Sequence, residues 1–366
     1  MTSPVPGFHR ILHQHRHLNK HPRHRSSCRI PNPELLISVD VLWFYARMFL
    51  YLIGLVALLA LYRWYRETKR VPNISDKYVY ITGCDSGFGN LLAKRLDELG
   101  YHVIAACFTE HGEDDLKKCS SKKLTTIHVD VAKSESIQKA AAFIKSKVGE
   151  AGLWGLVNNA GVSVPAGPCD WLTIQDYKQM LDVNLMGVIE VTLSVIPLIK
   201  KSQGRIVNVA SVFGRISPVG GAYCISKYAV EAFNDSLRRS LRDFGIKVLC
   251  IEPGFFKTRV CNIDIMEKNV HNLWDKLPQE VRDDYGSDYV EKAVKLMKAT
   301  MAKLPDPDLM KVVSCMEHAV SAVYPRTRYS PGWDAKLFWL PLSYMPTLIA
   351  DYVLGRDSVK PAKAVV

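Results

Sequence analysis

From Lys77 onward, short runs of β-branched and aromatic residues alternate with stretches whose apolar positions recur every three to four residues. The runs predict strands at Tyr78–Thr82, His102–Cys107, Gly155–Asn158, Gly204–Ser211 and Lys247–Glu252, with a further strand ending at Asp130-Val131. The stretches between them predict helices at Asn90–Leu99, Ser134–Lys147, Ile174–Lys201 and Ala222–Phe244. Such alternation closes into an α/β fold, a Rossmann-like, doubly wound parallel sheet with helices on both faces. Two segments break the rhythm. Residues 259–310 are charged and helix-forming, with Met266, Trp274, Leu277 and Leu296 scattered through them, and are expected to cover a bound molecule. Leu337–Leu354 is strongly apolar but holds Pro341, Pro346 and Asp351, which argue against a membrane span and for a membrane-grazing or tunnel-lining segment.

Ahead of this body, Val41–Tyr62 is apolar apart from Arg47. A spanning helix needs about 20 apolar residues, so the segment is long enough for an N-terminal transmembrane anchor. Trp43, Tyr45, Tyr51, Tyr62 and Trp64 supply interfacial aromatics, and Arg63, Arg66, Lys69 and Arg70 a basic flank. No small-residue cleavage site follows, which favours an uncleaved anchor over a removed signal peptide. The expected layout is a disordered basic tail over 1–40, an anchor over 41–63, a catalytic domain over 75–310 and an apolar C-terminal segment over 311–366.

Charge sharpens this layout. The chain carries a net +12, which on its own suggests a nucleic-acid partner. Residues 1–70 hold 11 Lys and Arg against three acidic residues, however, leaving 37 basic and 33 acidic groups in the rest. The excess belongs to the tail and the membrane flank, so no nucleic acid is expected as a partner. His9, His13, His15, His17, His21 and His24 lack carboxylate or cysteine companions, and nine cysteines are scattered without a CxxC. No metal site and no disulfide framework are expected.

The candidate chemistry clusters at strand ends. Thr82-Gly83-Cys84-Asp85-Ser86-Gly87-Phe88-Gly89 lies between a strand and a helix, where glycines let backbone approach a pyrophosphate at a helix N-terminus. Asp130 ends the third strand, where its carboxylate can accept from an adenine amino group. Asn158-Asn159-Ala160-Gly161 ends the fourth, Asn184 lies in the long helix, and Ser211 ends the next strand. Tyr223-Cys224-Ile225-Ser226-Lys227 follows, and Pro253-Gly254-Phe255-Phe256-Lys257-Thr258 closes the sixth strand. In this order and spacing, over about residues 77–260, these motifs resemble the short-chain dehydrogenase/reductase family.

Residue chemistry fits that resemblance. A phenol titrates near 10 and is a poor base at neutral pH. Lys227, one helical turn after Tyr223, places an ammonium on the same face and is expected to lower the phenol's pKa. Tyr223 can then act as acid and base towards a substrate hydroxyl held by Ser211. The resemblance further implies that Asn184 positions a relay water and that Gly83, Gly87 and Gly89 form the pyrophosphate loop. Asp85, Ser86, Phe88, Asp130, Asn158, Gly161, Pro253 and Thr258 complete the cofactor contacts. Ala210 departs from the family, where a second serine is common. No Lys or Arg stands at Ser86 or at Cys107-Phe108 to hold a 2′-phosphate, so NAD is expected over NADP.

Closer still is the microsomal retinol and 3α/17β-hydroxysteroid dehydrogenase branch. Asp76–Asn90, Gly152–Asn159, Asn234–Arg239 and Gly332–Lys336 all resemble it. The resemblance implies oxidation of all-trans-retinol or hydroxysteroids with NAD at the endoplasmic reticulum membrane, the catalytic domain facing the cytosol. Homodimers through the two long helices are also implied. Branch members begin at their anchor, so Met48 is expected to serve as an initiator. Two alternatives stand beside this: an NADPH-dependent ketone or retinal reductase, and an idle membrane-bound lipid-binding scaffold. Intact Ser211, Tyr223 and Lys227 speak against the second.

Overall fold

The computed structural model describes residues 33–365, with side chains from Val41 onward. The expected tail thus lies outside the described residues up to residue 32, and a helix takes in 33–40. In chain order the elements are α1 (Pro33–Thr68), β1 (Tyr78–Ile81), α2 (Gly87–Glu98), β2 (His102–Cys107), α3 (Glu110–Lys118), β3 (Leu124–His128), α4 (Ser134–Val148) and β4 (Gly155–Asn158). Next come α5 (Ile174–Leu181), α6 (Gly187–Ser202), β5 (Arg205–Val209), α7 (Ala222–Ser240), β6 (Lys247–Ile251), α8 (Ile263–Lys276), α9 (Gln279–Tyr285) and α10 (Tyr289–Lys303). The chain ends with α11 (Met310–Ser321), β7 (Arg328–Tyr329), α12 (Leu340–Ser343) and α13 (Thr347–Gly355).

Two compact units divide at Tyr62 and Arg63. The first holds most of α1, whose side chains from Val41 to Tyr62 are all exposed. By length and composition it is able to cross a membrane. The α5–α6 stretch meets the same length and composition test, but much of it is buried in the core. It is a core helix.

The second unit is built on a seven-stranded sheet in the order β3-β2-β1-β4-β5-β6-β7, every pair parallel. This is the doubly wound topology the alternation predicts. Parallel strands are buried on both faces and read as near-continuous apolar runs. In β1, Val79 and Ile81 point into one core with residues of α2 and α11, while Tyr80 points into the opposite core with residues of α4, α6 and α7. Leu92 and Leu96, four residues apart on α2, are fully buried. Each contributes roughly 1.5–3 kcal/mol by leaving water.

Three differences from expectation have physical causes. The predicted helix 174–201 is interrupted by a π-turn at Asp182–Met186, where wider hydrogen bonding shifts the side-chain register. The third strand ends at His128, two residues before Asp130, because Asp130 starts a turn and accepts from the Ala132 amide at 3.0 Å. Two structured segments lack an apolar signature: α3 buries only Gly112 and Leu116, and β7 is just Arg328 and Tyr329.

Candidate active site

The site forms at the carboxyl edge of the sheet, where open α/β sheets bind ligands. Between β1 and α2 the chain must turn sharply beneath the β4 exit. Gly83 has φ 71°, and a Cβ there would lie 2.7 Å from the Ala160 Cα. A Cβ on Gly89 would lie 2.4 Å from both the Gly83 carbonyl and Asn159 Nδ2. Neither position accepts a side chain. The loop is clamped from β4: Asn159 Nδ2 donates to the Thr82 and Gly83 carbonyls, each at 3.0 Å. Thr82 Oγ1 accepts from the Asn159 and Ala160 amides at 3.0 and 3.1 Å. Ser86 stands at the N-cap of α2 without a side-chain cap bond, leaving the first-turn amides to a ligand. Gly87 faces the Thr258 methyl, and Phe88 packs edge-on against Phe256 at 5.7 Å.

Ser211, Tyr223 and Lys227 converge. The buried Ser211 accepts from the Phe213 amide at 3.1 Å and caps the turn leading towards α7. Burial pushes the Tyr223 phenol above its usual range, and a hydrogen bond with Ser211 pulls it the other way. Lys227 Nζ lies 5.8 Å from the Tyr223 ring centre and donates to the Val209 carbonyl at 3.0 Å. Burial lowers this ammonium to about 8, with the neighbouring Cys250 and Glu231 opposing. The depression of the phenol expected from Lys227 is therefore not what governs it here. Desolvation of the ring oxygen outweighs a cation committed to a backbone carbonyl.

Asn184 sits at the centre of the π-turn, fully buried. Its Oδ1 accepts from the Val162 amide at 2.8 Å, and its Nδ2 donates to the Val162 carbonyl at 2.9 Å and to Ser226 Oγ at 3.1 Å. One side chain thus ties the β4 exit to α7. A Cβ on Gly161 would lie 3.2 Å from Asn184 Oδ1 and 3.7 Å from Lys227 Nζ, so both groups meet beside that glycine.

The remaining candidates are spread along the groove. Asp85 accepts from the Phe108 amide at 2.8 Å and from the Thr109 amide and hydroxyl at 2.8 and 2.7 Å, placing a carboxylate at the β2 exit. Asp130 lies at the β3 exit, where its amide donates to Ser136 Oγ. Asn158 turns inward and donates to Thr192 Oγ1 at 2.8 Å and Asn208 Oδ1 at 2.9 Å. Its side chain braces β4 against α6 and β5. The buried Pro253 accepts from the Val212 amide through its carbonyl at 3.1 Å, linking the β5 and β6 exits. Thr258 begins the short turn after β6.

Sequence reasoning left several residues without roles. Thr82, Asn159 and Ser226 lie inside the quoted motifs, yet they position neighbours and give no chemical signal of their own. Asp334, fully buried, accepts from the Phe255 amide at 2.8 Å and Trp339 Nε1 at 3.2 Å, fastening the β6 exit to the C-terminal segment. Beside Tyr223 lies a largely buried aromatic cluster. Phe213 makes edge contacts with Tyr223, Phe255 and Trp339 at 6.5, 5.3 and 5.2 Å, and Leu342, Val353 and Leu354 extend the same cluster.

The groove fits a nicotinamide dinucleotide: a side-chain-free loop at an uncapped helix N-terminus for the pyrophosphate, and polar groups at successive strand exits. The short chain dehydrogenase family model matches residues 77–267. Retinol dehydrogenase 7 of Rattus norvegicus is 54% identical over 317 residues, covering 87% of this chain and all of that protein. Retinol dehydrogenase 16 and 17-beta-hydroxysteroid dehydrogenase type 6, both of Homo sapiens, are 52% and 49% identical at the same coverage. A solved short-chain dehydrogenase from Streptomyces avermitilis is 26% identical with a TM-score of 0.61, covering 76% of this chain and 95% of its own. The solved structure of ElxO with NADP bound shares the fold at 20% identity and a TM-score of 0.55, covering 71% of this chain and 98% of its own. With half the chain on the family model and relatives aligned along their whole length, this protein belongs to the short-chain dehydrogenase family and is an oxidoreductase that works with a nicotinamide cofactor.

Proposed function

We propose that the chain oxidises a lipophilic secondary or allylic alcohol, all-trans-retinol or a 3α- or 17β-hydroxysteroid, with NAD at the endoplasmic reticulum membrane. The observation that carries this reading is the apolar cluster of Phe213, Phe255 and Trp339 packed beside Tyr223, extended by Leu342 and the partly buried Val353 and Leu354 of the C-terminal segment. A polar alcohol would gain nothing from it. A polyene or sterol would gain about 25 cal/mol for each Å² of apolar surface removed from water. The names of the relatives point the same way.

Tyr223 is the acid and base, Ser211 holds the reacting oxygen, and Lys227 serves both as positive charge and as proton exchanger, its ammonium near 8 releasing a proton close to working pH. The bound oxidised nicotinamide supplies the hydride acceptor. Asn184 acts as a positioning residue, fixing Val162 and Ser226 on either side of Lys227. Gly83, Gly87, Gly89 and the α2 N-terminus hold the pyrophosphate, Asp130 the adenine, and Gly161, Pro253 and Thr258 the nicotinamide end. Asn158 contributes by bracing the β4 exit. Asp85 supports NAD: its carboxylate lies at the β2 exit, where a ribose 2′-phosphate would meet like charge. The basic flank after the apolar run favours a cytosolic catalytic domain. Exposed Leu193 on α6, with Ile225 and Tyr228 on α7, supports a homodimer through those helices.

The test is an assay of membranes carrying the full chain with all-trans-retinol and a 3α-hydroxysteroid, each with NAD and with NADP. At least one alcohol is expected to turn over, with kcat/KM about tenfold or more higher for NAD. Preference for NADPH and a ketone would make the chain a reductase instead. For Gly89→Ala, the close approach to Gly83 and Asn159 predicts a tenfold or larger rise in the Kd for NAD, read by calorimetry. Unchanged affinity would mean that the loop yields.

A further inference from the structure

At the opposite edge of the sheet from the active site lies a cavity of about 460 Å³. It opens between the last turn of α7, the start of β6 and the chain entering β7. Five cationic side chains line it: Arg66, Arg238, Arg239, Arg242 and Lys247. Tyr324 lines it as well, and no carboxylate does. The Arg66 guanidinium lies over the Tyr324 ring at 4.2 Å. The nearby Asp235 is shared among Arg238, Arg239 and Arg328 at 3.3, 3.6 and 2.8 Å. One carboxylate spread over three guanidiniums leaves the cluster with surplus positive charge. Arg242 makes no ion pair among the described residues.

A second feature makes this edge more positive. Arg205, at the start of β5, is fully buried, stacked on Trp154 at 4.2 Å, and donates to the Ala319 and Ala322 carbonyls at 3.1 and 2.8 Å. Among the described residues it has no carboxylate partner, and its Nε has no hydrogen-bond partner. Burial and the charge of Arg205 both lower the Lys247 ammonium. Arg205 pairs across the strands with Lys247 and so adds to the positive field at the cavity. Forked guanidiniums match the oxygens of a phosphate.

We propose that this cavity binds the phosphate of an anionic phospholipid head group. Arg66 lies four helical residues, about 6 Å of rise, beyond Tyr62, where the apolar run of α1 ends. The interfacial layers of a bilayer are together about 10–15 Å thick, so an anion at Arg66 lies at head-group depth. The half-buried Val323 and Pro325 on the cavity wall offer apolar surface to the glycerol and first acyl carbons. The proposal rests on α1 lying in the bilayer but not on the identity of the alcohol.

The test uses the full chain in a neutral detergent at fixed ionic strength, titrated calorimetrically with dihexanoyl phosphatidic acid, dihexanoyl phosphatidylcholine and inorganic phosphate. The phosphatidic acid is expected to bind at least tenfold more tightly than either of the others. R239E/R242E is expected to weaken it by tenfold or more while alcohol oxidation stays within twofold. R242A, at an exposed side chain without an ion pair, is expected to weaken it about threefold and covers the case in which the double variant does not fold. Equal binding of free phosphate, or phosphatidic acid binding indifferent to R242A and R239E/R242E, overturns the proposal. Carbonate extraction of membranes carrying the same variants reads the insertion of α1 separately. Loss of insertion in the parent chain would overturn the lipid as the source of the phosphate and leave the reading of the alcohol untouched.

Discussion

Tyr223→Phe is expected to cut kcat for alcohol oxidation by about 10²–10⁴-fold, the usual worth of a positioned acid and base. The ring keeps its edge contact with Phe213 and loses only the hydroxyl that bonds Ser211. That lost bond costs about 1 kcal/mol of stability, too little to unfold the domain. KM for the alcohol should change little, because Ser211 remains to hold the oxygen. NADH formation by membranes carrying the variant, compared with the parent at several pH values, is the measurement. Parent activity should rise with pH as the buried phenol, held above its usual range, gives up its proton more readily; the residual rate of the variant should be flat. A residual rate within tenfold of the parent would remove Tyr223 from the chemistry.

Lys227→Met should separate activity from stability. Activity is expected to fall by at least about 10²-fold, since the site loses both a positive charge and a proton exchanger. Stability at neutral pH is expected to rise. Burial takes the Lys227 ammonium from an ordinary 10.5 to about 8. That corresponds to about 3 kcal/mol against the charged form. Losing the hydrogen bond to the Val209 carbonyl offsets part of it, leaving a gain of about 1 kcal/mol, or roughly 2–4 °C in Tm. The sign follows from proton counts. Between pH 8 and 10.5 the unfolded chain holds the Lys227 proton and the folded chain has released it, so parent stability climbs through that window. The variant lacks this climb, and its advantage shrinks as pH rises. Melting curves of the two chains from pH 7 to 10.5 decide it; parallel pH profiles would mean that the Lys227 ammonium keeps its ordinary affinity for its proton in the folded protein.

The sheet was legible in the sequence because parallel strands, buried on both faces, leave short unbroken apolar runs. Segments whose place depends on partners left no such trace. Nothing in Arg328-Tyr329 announces a strand; Arg328 is held by the buried Glu231 and Glu252 and the half-buried Asp235, which come from α7 and the β6 exit. The π-turn around Asn184 is equally silent, since one widened turn leaves the helical apolar period intact on either side. Within the site, residue types pointed to the candidate residues but not to the structural tasks each performs. Asn158 and Asn159 are identical neighbours, yet one braces the sheet and the other clamps the glycine loop, a choice set by which face of β4 each side chain takes. The electrostatics of Tyr223 were hidden for a similar reason. Helical spacing put Lys227 on the same face as Tyr223, but the carbonyl that engages its ammonium comes from β5, outside any local pattern.

Asp334 gives the site a particular order of assembly during synthesis. The phenol and its lysine are complete once α7 has emerged. The turn at Gly254 and Phe255 is fastened only when a carboxylate near the far end of the chain arrives, with Trp339 close behind it. A nascent chain therefore carries Ser211, Tyr223 and Lys227 before the residues that fasten the β6 exit beside them have been made.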